Sequence, residues 1–104
     1  MKHKFRNIPK EYKGIRYQST LEANYAAHLD LLISSGEVLF YLRQPKFHMP
    51  SGNTYAADFL IFYSSGDAEF VDTKGKVTDL FLNKMRELEA SYPVKIKVIS
   101  RGDF

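Results

Sequence analysis

The chain has 104 residues, a formal net charge of +3 and no cysteine. This length suits a single domain, and the lack of cysteine excludes a disulfide scaffold, a thiolate metal site and a cysteine nucleophile. The charged N-terminus lacks the apolar core of a signal peptide, and no apolar run approaches the ~20 residues that span a bilayer. We therefore expect a soluble, cytoplasmic protein.

The first 17 residues are strongly basic, with six basic side chains and one acid, Glu11. We predict a basic N-terminal arm over residues 1–13 and a single domain over residues 14–104. A basic arm indicates a polyanionic partner such as DNA, and the alternative is a partly disordered, solubilising terminus. The candidate phosphate contacts of this region are Lys2, Lys4, Arg6, Lys10, Lys13 and Arg16.

The first half of the domain is predicted to hold a helix followed by a strand. Ser19 and Glu22 stand at capping-box spacing, so we expect a helix that begins at Ser19 and ends at Gly36. Residues 37–49 then alternate as a strand. Pro45 cannot donate to a ladder, so this strand lies at a sheet edge or bends there.

The second half is predicted to hold two strands, a helix and a last strand. Residues 54–63 are apolar on both strand faces apart from Asp58, which predicts a central strand covered on both sides. Residues 68–74 form the next strand, Thr78 or Asp79 caps a second helix, and the C-terminal residues alternate as a final strand. This order predicts an α/β fold with a mixed central sheet flanked by helices.

Two carboxylates in these strands stand out chemically. Asp58 lies within an apolar strand, where a charge is costly unless it is paired or bound to a metal. Asp72 ends the next strand, and Lys74 points to the same strand face because side chains alternate. Carboxylate oxygens suit Mg²⁺, which polarises phosphate, and a neighbouring lysine can serve the attacking water. The alternative is a structural Asp–Lys ion pair, with Asp58 capping a turn.

The spacing of Asp58 and the Asp72-Thr73-Lys74 run resembles the PD-(D/E)XK nuclease signature. The chain also resembles a family of short phage proteins within that superfamily, whose core is the restriction-endonuclease-like αβββαβ arrangement. The stretches that carry this resemblance are GIRYQS at 14–19, LEA at 21–23, QPKF at 44–47, YAADF at 55–59 and VDTKG at 71–75. The chain departs from the signature in having Ala57 before the first acid and an aspartate, rather than the commoner glutamate, as the second.

The resemblance implies a role for each residue of the motif. Asp58 and Asp72 would bind Mg²⁺ or Mn²⁺, the backbone carbonyl of Thr73 would join them, and Lys74 would be the catalytic lysine. Glu22 would match the additional acidic ligand of many junction-cutting members. Its capping-box position explains Glu22 without any metal, so both interpretations stay open.

Further basic and polar residues are candidate DNA contacts. Gln44, Lys76 and Lys84, together with Arg86, would approach phosphates, although solvated surface positions explain them equally well. The resulting prediction is a metal-dependent DNA endonuclease of phage type that acts on branched intermediates such as Holliday junctions. Paired cuts across a junction favour a homodimer. The alternatives are a non-catalytic nucleic-acid-binding module of the same fold and a protein-interaction domain.

Overall fold

The computed structural model describes residues 9–104, so three of the predicted DNA contacts, Lys2, Lys4 and Arg6, lie outside the described residues. The described part contains eight strands and two helices. In chain order they are β1 (Lys10–Tyr12), β2 (Ile15–Tyr17), α1 (Thr20–Ser34), β3 (Val38–Arg43), β4 (Lys46–His48), β5 (Thr54–Ala56), β6 (Phe59–Tyr63), β7 (Ala68–Thr73), α2 (Asp79–Ser91) and β8 (Ile96–Ile99).

The central sheet has the strand order β3-β6-β7-β8. The β3–β6 and β6–β7 pairs are antiparallel, whereas β7 and β8 are parallel and connected through α2. The predicted mixed α/β fold, with a mixed central sheet and two helices, is therefore confirmed. No helix among residues 9–104 is long and apolar enough to cross a membrane.

The N-terminal hairpin of β1 and β2 packs against α1. Lys13 and Gly14 form its two-residue turn with φ values of 52° and 77°, the left-handed geometry that matches the twist of hairpin strands. The Tyr12 hydroxyl donates a hydrogen bond of 2.7 Å to Asp30 of α1. The predicted boundary after residue 13 falls inside this turn, so Lys10 and Lys13 belong to the folded domain and not to a separate arm.

Both helices begin as their sequences predict. The Ser19 hydroxyl accepts from the Glu22 backbone N–H at 3.1 Å, and a Glu22 carboxylate oxygen accepts from the Gln18 N–H at 3.2 Å. For α2 the cap is Thr78, whose hydroxyl accepts from the Phe81 N–H at 3.1 Å. These side chains satisfy backbone donors that have no partner within the helix.

Two long strands predicted from the sequence are each divided in the structure. Residues 37–49 break at Gln44, whose φ of 55° turns the chain, and at Pro45, which has no N–H to donate. Residues 54–63 break at Ala57 and Asp58. The outer pieces pair as a separate β4–β5 sheet. The predicted continuous central strand is wrong, and Asp58 lies at the break that begins β6.

Each face of the central sheet has its own apolar core. On the α1 face the buried core residues include Tyr17, Tyr25, Leu29, Phe59, Ile61 and Val71. On the α2 face they include Phe47, Met49, Tyr55, Phe81, Met85 and Leu88. The second face is incompletely covered, because Phe40 and Leu42 of the edge strand β3 remain 48% and 50% exposed. The expected coverage on both sides is therefore confirmed only in part.

Candidate functional site

Asp58 is fixed between the two strands that flank β6. Its backbone N–H donates to the Val71 carbonyl at 3.1 Å, and its own carbonyl accepts from the Gln44 N–H at 3.0 Å. One carboxylate oxygen accepts from both the backbone N–H and the hydroxyl of Thr73, at 2.7 and 2.8 Å. These contacts place Asp58 at the end of the sheet where β3 and β7 end and β6 begins.

Asp72 is buried, with 2% of its surface exposed. Its Oδ2 atom accepts a 2.7 Å hydrogen bond from the Tyr55 hydroxyl and lies 3.2 Å from the Lys74 Nζ atom. Burial, together with this bond to Asp72, raises the pKa of Tyr55, so Tyr55 remains a donor. The predicted placement of Asp72 and Lys74 on one strand face is confirmed.

Lys74 stands between solvent and the buried acid. Its side chain is 31% exposed, and its Nζ atom lies 4.6 Å from the centre of the Phe81 ring at the start of α2. The ring and the carboxylate together direct the ammonium group toward the end of the sheet. Lys74 is therefore placed where a ligand at that end could reach its ammonium group.

The carboxylates of Asp58 and Asp72 interact electrostatically. Burial, and after it the negative charge of Asp72, raise the pKa of Asp58 to about 7, while the Thr73 hydrogen bonds oppose the shift. The charge of Glu22 makes a smaller contribution in the same direction. A carboxyl with this pKa is poorly stabilised as an anion in the free protein, and a nearby cation would stabilise it.

Glu22 lies on the other side of the sheet, within reach of Arg43 at the end of β3. The Arg43 Nη2 atom is 3.5 Å from Glu22 Oε2, and the guanidinium carbon lies 4.2 Å from the centre of the Tyr17 ring. Burial raises the pKa of Glu22, whereas the Gln18 N–H and Arg43 oppose the shift. Glu22 is therefore both the capping residue and the partner of an arginine.

The donor chemistry of this region fits a hard divalent cation. Asp58 is partly desolvated and feels the charges of Asp72, which pairs with Lys74, and of Glu22, which pairs with Arg43 on the opposite side of the sheet. Carboxylate oxygens of Asp58 and Asp72 are suitable ligands for Mg²⁺ or Mn²⁺. Within residues 9–104, however, no three His, Cys, Asp or Glu side chains are close enough together to hold a metal ion. Asp58 and Asp72 fit the predicted ligand set, and Glu22 is engaged elsewhere.

The predicted DNA contacts among residues 9–104 lie on different elements, from the β1–β2 hairpin to α2. Lys13 lies on the α1 side and pairs with Asp30 at 3.2 Å. Gln44 is exposed at the strand break beside Asp58, and its backbone N–H, rather than its side chain, makes the observed contact. The remaining described candidates are exposed: Lys10, Arg16, Lys76, Lys84 and Arg86.

A family model described as "Protein of unknown function (DUF1064)" matches residues 2–102. The chain belongs to the DUF1064 family. The match spans nearly the whole chain, including every strand and helix described above. No curated protein matches the chain significantly.

Sequence reasoning missed two side chains at this site of the DUF1064 chain. Tyr55 looks like one more apolar strand residue, and its hydroxyl reaches Asp72 only because β5 leaves the central sheet. Arg43 ends a strand like many solvated arginines, yet it contacts Glu22 across the α1 face. The adjoining Gln44-Pro45 pair was the available signal, because a break there ends β3 next to Asp58.

Proposed function

We propose that this protein is a metal-dependent endonuclease that hydrolyses DNA phosphodiester bonds. The observation that carries the proposal is the pairing of Asp72 with Lys74 at 3.2 Å, beside the electrostatically coupled Asp58. A structural ion pair alone would account for Asp72 and Lys74. It would not account for a second carboxyl, Asp58, whose pKa is raised to about 7 in the same region.

Asp58 and Asp72 would hold a divalent cation, which supplies Lewis-acid polarisation of the scissile phosphate when bound. Thr73 holds Asp58 by two hydrogen bonds, and Tyr55 holds Asp72 by one. Their role is to keep both carboxylates oriented. The predicted participation of the Thr73 carbonyl and of Glu22 remains part of the proposal, and Glu22 would first have to separate from Arg43.

Lys74 would orient the attacking water and balance the negative charge that develops on the phosphate. The attacking water gives up one proton to solvent as its oxygen bonds to phosphorus, the bond to the leaving oxygen breaks, and that oxygen gains a proton from solvent. Phe81 limits the motion of the Lys74 ammonium group through their 4.6 Å contact. The lysine therefore reaches the reacting phosphate from a fixed direction.

The element order supports the resemblance to the restriction-endonuclease-like core. The central sheet and its helices follow the order α1, β3, β6, β7, α2 and β8, with Asp58 immediately before β6 and Asp72 on the adjacent strand β7. We propose that this is the αβββαβ core of a PD-(D/E)XK nuclease of phage type. Exposed basic residues, including Lys10, Arg16 and Lys84, would contact phosphates, and the protein would act in the cytoplasm.

Branched DNA is the substrate that the resemblance favours, and it makes a homodimer the expected assembly. Resolution of a four-way junction needs two cuts, which a twofold dimer supplies. The β3 edge supports this assembly, because residues 38–42 carry no charge and Phe40 and Leu42 are half exposed. Antiparallel pairing of β3 with its copy would have the required twofold symmetry. Sedimentation of the wild type and of Phe40→Glu tests this assembly. We expect a dimeric wild type and a monomeric variant, and a monomeric wild type would contradict the proposal.

The central test compares cleavage of a labelled four-way junction, a linear duplex and a single strand. Each is incubated with Mg²⁺, with Mn²⁺ and with EDTA, using wild type, Asp72→Asn and the control Asp67→Asn. Asp67 is exposed in the turn at the opposite end of the β6–β7 hairpin. We expect metal-dependent cuts near the branch for the wild type and Asp67→Asn, and none for Asp72→Asn.

The other outcomes identify the alternatives. Metal-dependent cutting of all three substrates would keep the chemistry and remove the preference for branched DNA. Binding without cutting under any metal would identify a non-catalytic nucleic-acid-binding module. If the protein neither binds nor cuts DNA, a protein-interaction domain becomes the better explanation, and Asp58 and Asp72 form a structural network.

A further inference from the structure

The Arg43 side chain is held in one orientation by contacts on two sides. Its Nη2 atom lies 3.5 Å from the buried Glu22 carboxylate, and its guanidinium carbon lies 4.2 Å from the centre of the buried Tyr17 ring. A planar guanidinium that is stacked and ion-paired loses little further freedom when it binds another group. Arg43 is therefore preorganised before any ligand arrives.

The contacts of Arg43 leave hydrogen-bonding capacity unused. The Arg43 Nε atom and the Glu22 Oε2 atom are both buried without a hydrogen-bond partner. A guanidinium has five N–H donors, and polar atoms left unpaired in a folded interior usually mark a bound water, an ion or a functional group. The Arg43 side chain is 24% exposed, so solvent, and hence a ligand, can reach part of it.

The position of Arg43 places it at the same end of the sheet as the acid pair. Arg43 pairs with Phe59 in the β3–β6 register, and the next residue, Gln44, donates its N–H to the Asp58 carbonyl. Lys74 stands on the α2 side of Asp58, and Arg43 stands on the α1 side. The two cations therefore flank Asp58, the residue immediately before β6.

We propose that Arg43 is a phosphate-binding residue that holds a backbone phosphate of DNA next to the reacting one. The proposal rests on the proposed nuclease function. Its N–H donors form the planar fork that matches two phosphate oxygens, and Glu22 and Tyr17 are the positioning residues that aim it. The competing explanation is that Arg43 only neutralises Glu22. In that case its removal would change DNA affinity only as far as it impairs folding.

The test measures DNA binding in EDTA by fluorescence anisotropy, over a series of salt concentrations, in an Asp72→Asn background that keeps the DNA intact. Three variants are made in this background. They are the double substitution Arg43→Gln with Glu22→Gln, the single substitution Glu22→Gln, and the control Lys95→Gln. The double substitution removes both charges together, so no unpaired buried charge remains. Lys95 is exposed, pairs with Glu89 and precedes β8, at the end of that strand remote from the acids.

Loss of one phosphate contact lowers the slope of log affinity against log salt by about one, and loss of a charged hydrogen bond weakens binding about tenfold or more. We expect both changes in the double variant. In Glu22→Gln the arginine is retained but loses the carboxylate that aims it, so we expect weaker binding with an unchanged slope, whereas Lys95→Gln should match the wild type in both. Thermal unfolding of each variant checks that it is folded.

A double variant that binds DNA with the wild-type slope and affinity would overturn the proposal for Arg43. If the wild-type protein still cleaves DNA in that case, the proposed nuclease function is unaffected. Failure of the wild type to bind DNA would overturn both. If the double variant does not fold, the same binding measurement on Arg43→Lys tests the proposal. This variant keeps the charge but loses the fork, so we expect weaker binding with an unchanged slope, and unchanged binding would contradict the proposal.

Discussion

On each side of the central sheet a buried carboxylate is paired with a cation, but the two sides use different residues. On the α2 side, Asp72 pairs with Lys74, which contacts Phe81; on the α1 side, Glu22 pairs with Arg43, which contacts Tyr17. Each side thus has a buried carboxylate, a cation and an aromatic ring.

The difference lies in how each carboxylate is satisfied. Asp72 Oδ2 accepts a full hydrogen bond from Tyr55 in addition to its lysine. Glu22 Oε2 has only the arginine at 3.5 Å and no hydrogen-bond partner. The α2 side is arranged to keep one carboxylate oriented for chemistry. The α1 side instead fixes an arginine whose donors remain available, and the following predictions test this division.

The largest expected effect is on catalysis by Lys74→Met. Removal of the lysine should lower kcat about 10²–10⁴-fold, because the attacking water loses its orienting group and the phosphate loses a balancing charge. DNA affinity in EDTA should change little. Single-turnover cleavage and anisotropy measure the two quantities. Equal losses in affinity and in cleavage rate would show that Lys74 acts as another phosphate contact.

The next effect is on stability, where Arg43→Met should lower the free energy of unfolding by about 3–5 kcal/mol, since it leaves the buried Glu22 charge unpaired. A Glu22→Leu change in the same chain should restore much of this loss, because replacement of a whole buried ion pair by apolar residues is often neutral. Urea unfolding of the two variants measures the difference. The same loss in the single and double variants would show that the ion pair is not the cause.

A smaller effect concerns pH. The folded-state pKa of Asp58 is raised to about 7 from 3.8, so its contribution to stability is present at low pH and is lost as pH rises toward and through 7. One pKa unit corresponds to about 1.4 kcal/mol, so the loss is on the order of a few kcal/mol. We expect Asp58→Asn to flatten the pH profile of unfolding in EDTA, and Mg²⁺ or Mn²⁺ to stabilise the wild type above pH 7.

The contrary result for this prediction is a wild type whose unfolding free energy rises between pH 4 and pH 7 in the same way as that of Asp58→Asn. That outcome would mean that Asp58 is not the residue whose ionisation opposes folding. A wild type that metal ions do not stabilise would also argue against Asp58 and Asp72 as ligands.

The smallest expected effect is at the helix caps. Ser19→Ala removes the acceptor of the Glu22 N–H and should cost about 1 kcal/mol of unfolding free energy. Thr78→Ala removes the equivalent bond of α2 and is the matched control. If the α1 cap also orients Glu22 toward Arg43, Ser19→Ala should weaken DNA binding and Thr78→Ala should not. Equal effects of the two substitutions on DNA binding would show that the α1 cap does not act through Glu22 and Arg43.

Local patterns predicted a good part of this structure. The capping-box spacing located the start of α1, and the apolar periodicity located α2, since both signals depend on residues a few positions apart. The period of two along β7 was enough to place Asp72 and Lys74 on one face. Asp58 was singled out because a charge within an apolar run needs a partner.

The same reasoning failed where one long apolar pattern hid two short strands. Residues 54–63 are apolar on both strand faces apart from Asp58, so nothing in their pattern separates β5 from β6. The break was foreshadowed only by Pro45 on the neighbouring segment. As a consequence the reach of Tyr55 to Asp72 could not be predicted, because it depends on β5 leaving the sheet that contains Asp72.

The sequence by itself determined the two helices, their caps, the placement of Asp72 and Lys74 on one strand face and the basic character of the N-terminal region. Only the tertiary structure decided that Glu22 meets Arg43, that Tyr55 meets Asp72, and that Lys13 is paired with Asp30. The physical reason is that caps and strand alternation are set by neighbouring residues. A contact between distant segments depends instead on strand register and on helix packing, which the whole chain fixes together.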